Sequence, residues 1–215
     1  MEDEFFINLR KKIQPYFGDK NKGHGMDHTL RVYNNAIKIS EGEESIDMDV
    51  IKASALLHDV ARSKEELDIS KCHASEGATM AKDILNEADF PKDKIDSVCH
   101  AIVVHRYSKG LRAGTKEAEI LQDADRLDAL GALVVARVLA RAGSKKTIIH
   151  DPNIMPSEIY DGSETTTAIN HFYEKILKIK PETFKTIKAR EMAEGRYKFA
   201  KDFVERFVKE WEGEL

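Results

Sequence analysis

The sequence predicts an all-α protein. Apolar residues recur at the three-to-four spacing of a helix face in segment after segment, and no stretch alternates as a half-buried strand does. A length of 215 residues suits one good-sized domain. The chain is therefore expected to form a single domain over 1–215, with a core over about 20–140 and a lid segment and helices over 144–215. Internal repeats and low-complexity tracts are absent.

Residues 2–17 read as a short amphipathic helix ended by Gly18, and 18–25, GDKNKGHG, as a loop. A helix over about 27–40 offers Leu30, Val32, Ile37 and Ile39 for burial. After the turn EGEES, Asp47 or Asp49 caps a helix carrying VIKASALLHDVA. Residues 72–88 form another, and Pro91 suits the first turn of the next, KDKIDSVCHAIVVH. Thr115 can cap 116–142, which is one long helix or two joined near Ala124. Residues 144–162 hold two prolines and little periodicity, and nineteen residues is long for a plain connection, so a functional lid is expected there. Two helices close the chain, about 163–180 and 182–212, parted by Pro181. In the last, Phe199, Phe203, Phe207 and Trp211 recur every four residues and read as a core face.

Several function classes are disfavoured at once. The net charge of −4 leaves no basic excess for a nucleic-acid polymer. No apolar run approaches the roughly 20 residues of a membrane span. The first residues, MEDEFFINLRKK, are acidic where a secretory signal is basic. Cys72 and Cys99, with no CxxC, suit reduced thiols. A cytoplasmic protein with no membrane partner is expected; its oligomeric state is left open.

The stretch SALLHDVARS, 54–63, sets an apolar helix wall around His58 and Asp59. Burying such a pair is unfavourable unless something satisfies it. Other candidate donors are His24, His28, His73, Glu76, His100, His105, Asp123, Asp125 and Asp128. Taken singly, a helical His is commonly met by a carbonyl or water, and an Asp in LQDADRLDALG serves equally as an N-cap. Taken together, in order on separate helices, they argue for a divalent ion. Mixed imidazole and carboxylate donors suit Mn, Fe, Co, Ni or Zn, and Mg or Mn gain as carboxylates increase. No GxSxG and no GxxxxGK[ST] occurs, which argues against a serine nucleophile and a P-loop.

Three segments carry a known order. DHTLRV (27–32) supplies His28, ALLHDVA (55–61) supplies His58 and Asp59, and LQDADRLDALGA (121–132) supplies Asp125. The intervals are 30 residues (58 − 28) and 66 residues (125 − 59). CHASEGA and AIVVHR fit as auxiliary segments. In this pattern the sequence resembles the HD-domain metal-dependent phosphohydrolases, and TTTAINHFYEKILKIK resembles the tail of small stand-alone bacterial and archaeal members. The resemblance implies an HD-type helical bundle with a metal site between helices and the C-terminal helices packed on the core. The ion would be held by His28, His58, Asp59 and Asp125, with one ion favoured and Mn or Mg preferred over Co, Ni, Zn or Fe.

It implies further that Asp59 or Asp125 orients an attacking water, while His73 and His105 contact phosphate or protonate the leaving group. Two-metal members place ligands for a second ion where His73 and His105 stand. His24, Arg62, Lys64 and Arg106 are candidate phosphate contacts, and Asp128 a substrate-side contact or a cap of the next helix. A second His-Asp pair, His150 and Asp151, precedes Pro152 in loop-like surroundings and is assigned to the lid. The expected substrate is a small phosphorylated metabolite, most of all a nucleotide, with triphosphate cleavage to monophosphate and diphosphate favoured by the subgroup. A non-catalytic nucleotide-sensing module and a di-iron oxygenase are the alternatives.

Overall fold

A computed structural model describes residues 3–17, 25–63, 72–158 and 165–215. Nine α-helices and no strand occur among the described residues: α1 (Glu4–Ile13), α2 (Met26–Ser40), α3 (Met48–Leu57), α4 (His73–Glu87), α5 (Lys92–Val104), α6 (Lys116–Leu127), α7 (Ala132–Lys145), α8 (Ala168–Glu174) and α9 (Ile187–Trp211). The all-α expectation is met. None of these helices is long and apolar enough to cross a membrane.

The chain divides into two compact units, Met1–Asp125 and Arg126–Leu215. In the first, α3 is the centre: Val50, Ile51 and every residue from Ala53 to Leu57 is buried. Asp47 is its cap, its carboxylate accepting from the Asp49 and Val50 amides at 2.9 and 3.3 Å. α2 and α5 pack on α3, and α4 packs on α5. On α2 the buried face runs His28, Val32, Ala36, Ile39, a four-residue rhythm that puts His28 on the same side as the core. Leu30 and Ile37, also offered by the sequence, are half-buried. Thr115 caps α6 as expected, accepting from the Ala118 amide at 3.2 Å.

Residues 116–142 form two helices, α6 and α7. The break falls at 128–131, where Gly131 adopts φ +82° as the N-cap of α7. Arg196 on α9 donates to the Leu127 carbonyl at 2.8 Å, and Arg137 on α7 pairs with Asp128 at 2.7 Å. The expected helix over 163–180 is only the seven residues of α8, capped by Thr167, followed by 3-10 turns at Ile176–Lys178 and Pro181–Thr183. α8 holds the described part of the preceding segment. Ala168 and Ile169 donate to the Ile148 and Ile149 carbonyls, Asn170 to that of Ile154, and Glu174 accepts from the Ser157 amide and the Thr165 hydroxyl.

The aromatic stripe of α9 is not a core face. Phe199 and Trp211 are 49% and 52% exposed, and Phe203 and Phe207 are half-buried. A four-residue step turns about 400° around a helix, so a stripe drifts about 40° per step and cannot stay on one side for twelve residues. Ala189, Ala193, Ala200 and Val204 make the true buried face. The ring of His150 joins the stripe instead, with its centroid 6.0 Å from that of Phe207 and 5.3 Å from that of Trp211.

Candidate metal centre

Five helices of the first unit deliver six side chains to one place. α2 carries His28, the chain leaving α3 carries His58 and Asp59, α4 begins with His73, the chain leaving α5 carries His105, and α6 carries Asp125. The His-Asp pair is not inside a helix, as the apolar run suggested: α3 stops at Leu57 and His58 is its C-cap. A helix leaves its last carbonyls without partners. The His58 Nδ1–H takes one of them, donating to the Ala55 oxygen at 2.8 Å. His105 repeats the device at the end of α5, its Nδ1–H donating to the Ile102 oxygen at 2.6 Å. A carbonyl only accepts, so both imidazoles carry their neutral-state proton on Nδ1 and turn an Nε2 lone pair inward.

Those lone pairs meet a crowd of acceptors. His58 Nε2 lies 3.4 Å from His28 Nε2, which is itself 3.3 Å from Asp125 Oδ1. Asp59 stands between two groups. Its Oδ2 is 3.7 Å from both His28 and His58 Nε2, and its Oδ1 is 3.2 Å from His73 and 3.9 Å from His105 Nε2. His28, His58 and Asp125 form one triad able to hold an ion, and Asp59, His73 and His105 another. All but Asp125 are 3% exposed or less; Asp125, at 28%, is the open edge.

Electrostatics follow from this packing. Burial, reinforced by the neighbouring His58, pulls His105 down to about 4, so it is neutral at pH 7. Burial pushes Asp125 up, yet the hydrogen bond from His28 and the surrounding imidazoles outweigh it and hold the carboxyl well below its ordinary range. A divalent cation fits this donor set. Two carboxylates and the His58 lone pair converge on His28 Nε2, which has at most one proton to share among them.

Of the other expected residues, Arg62 reaches the cluster, its Nη1 3.1 Å from His73 Nδ1. Arg106 stands beside Cys72, Nη1 to Sγ 4.0 Å. Asp128 belongs to the second unit, past the end of α6, buried with its carboxylate on Arg137; the cap of α7 is Gly131. His24 and Lys64 lie outside the described residues. Sequence reading passed over two buried amides that touch the backbone carrying these side chains. Asn35 Nδ2 donates to the Ala124 carbonyl at 3.2 Å, and Gln122 Nε2 to those of Val104 at 2.5 Å and Leu111 at 3.2 Å. The only available signal was phase: Asn35 follows His28 by seven residues, two helical turns along the same face.

The model of the HD domain family matches residues 25–130, the span holding all six side chains. YpgQ of Bacillus subtilis is 31% identical over 209 residues, 95% of this chain and 93% of its own. The chain belongs to the HD-domain family. Among solved structures, an HD-superfamily hydrolase from Bacillus thuringiensis is 32% identical and superposes over 97% of both chains with a TM-score of 0.75. The structure of B. subtilis YpgQ in complex with ADP is 28% identical, covers 96% of this HD-domain chain and 95% of that one, and gives 0.69.

Proposed function

We propose that this HD-domain protein is a metal-dependent phosphohydrolase that cleaves a phosphate ester or anhydride of a small metabolite, with a nucleotide as the substrate class. The observation that carries the reading is the buried convergence of His28, His58, Asp59 and Asp125, whose inward acceptors outnumber their protons. A divalent ion held there supplies Lewis acidity, lowering the pKa of a water and neutralising charge on phosphoryl oxygens. Asp59 orients the attacking water. His105 has its proton turned away on the Ile102 carbonyl and serves as an acceptor. His73, between Arg62 and Asp59, is placed to pass a proton to the leaving oxygen. Arg62 and Arg106 are the phosphate contacts in this reading. The complex of YpgQ with ADP supports a nucleotide, and the subgroup resemblance favours triphosphate cleavage to monophosphate and diphosphate.

One observation favours a second reading of the occupancy: Asp59 turns one oxygen to each triad, so that His28, His58 and Asp125 would hold one ion and Asp59, His73 and His105 a second. The test is a panel of Mn, Mg, Co, Ni, Zn and Fe against nucleoside mono-, di- and triphosphates and sugar phosphates, with metal content measured alongside. Asp59→Ala is expected to lose at least about a hundredfold in turnover. If wild type and Asp59→Ala release phosphate or diphosphate equally slowly with every ion, the enzyme reading is wrong. Nucleotide binding without turnover would then favour the sensing module.

A further inference from the structure

The ligand-bearing side chains can be no better placed than the peptide planes they hang from. Two of those planes are gripped by buried amides. Ala124 belongs to the last turn of α6. Asn35, 7% exposed on the His28 face of α2, donates to it. The grip falls one residue before Asp125 and ties its turn of α6 to the helix bearing His28. Val104 is the last residue of α5, and its carbonyl shares a peptide plane with the amide of His105. Gln122, 1% exposed, donates to that carbonyl and to Leu111, closing both sides of the turn that follows His105. Gln122 is costly to bury: its Oε1 has no hydrogen-bond partner among the described residues. An apolar side chain of the same length would avoid that penalty and would lose both of these contacts.

We infer that Asn35 and Gln122 are positioning residues: through the carbonyls of Ala124 and Val104 they set where Asp125 stands against His28 and where His105 stands against Asp59. The inference rests on the metal reading above for its effect on ion binding, and on geometry alone for its effect on the imidazoles.

The experiment compares the full chain with Asn35→Leu, Gln122→Met and Leu121→Ala, the last removing a buried core side chain from the same helix. Mn2+ affinity is measured by chelator competition, and imidazole 15N shifts are recorded on metal-free protein. Asn35→Leu and Gln122→Met are each expected to weaken Mn2+ by about 10- to 100-fold, while Leu121→Ala, with an equal or larger loss of melting temperature, stays within about twofold. Asn35→Leu moves the His28 ring shifts and Gln122→Met those of His105. Should Leu121→Ala weaken the ion as much as they do, or both amide variants keep wild-type affinity and shifts, the inference is overturned. If Asn35→Leu does not fold, Asn35→Ser, which keeps a polar group too short to reach Ala124, takes its place. If wild type binds no ion of the panel yet the ring shifts move as stated, the metal reading fails and the positioning role stands.

Discussion

An imidazole at neutral pH has one proton to place, and the candidate centre is organised by where its histidines place theirs. His58 and His105 spend it on their own helix ends, which leaves Nε2 free for a cation. Away from the centre, His171 shows the cost of burying the same group. Burial, with Lys175 and Arg141 adding to it against Glu174, pulls it down to about 4 from 6.5. The unfolded chain therefore binds the extra proton first. The stability that His171 contributes is complete above about pH 6.5 and is lost as pH falls toward 4. His171→Gln should lose less melting temperature than wild type between pH 7.5 and pH 5, a difference on the order of 1 kcal/mol after allowance for partial exposure. Identical losses in a pH series would remove His171 from the acid response. The ordered His28, His58–Asp59 and Asp125 were legible because each sits in its own apolar context. Asn35 and Gln122 were not: an amide that grips a carbonyl 89 or 18 residues away leaves no spacing to read.

The helices themselves were legible from their periodicity, as were the caps at Asp47 and Thr115, but two of the stops were not. The apolar run of α3 continues through Val60 and Ala61 in burial, so composition gave no stop at Leu57; the stop comes from the His58 side chain capping Ala55. Similarly, helical period runs through 116–142, yet α6 gives way to tight turns at Ala129 and Leu130 and the positive φ of Gly131 then opens α7. That position carries a clear expectation. A Cβ on Gly131 would lie 3.2 Å from Cβ and Cγ of Arg196, in a backbone conformation that L side chains rarely adopt. Arg196 also satisfies the Leu127 carbonyl, so it cannot yield without loss. Gly131→Ala should destabilise by about 1–3 kcal/mol. In a chain of this length each kcal/mol lowers the melting temperature by about 2–4 °C. A melting curve indistinguishable from wild type would show that the turn relaxes freely.

All six clustered side chains fall within Met1–Asp125, and the second unit has its own buried residues along α7, α8 and α9. An ion that binds only the folded state stabilises it by RT ln(1 + [L]/Kd), about 2.7 kcal/mol at a hundredfold excess over Kd. Hydrogen exchange with and without Mn2+ should therefore show added protection concentrated in α2, α3 and α5. Equal gains across α7 and α9 would mean that the two units unfold as one. There is also a consequence for how such a centre tolerates substitution. Two of its imidazoles are aimed by a main-chain oxygen three residues earlier, and every residue type has that oxygen. The side chain at that earlier position can change without costing the imidazole its anchor. The portable unit of this arrangement is thus an apolar helix that ends on a histidine.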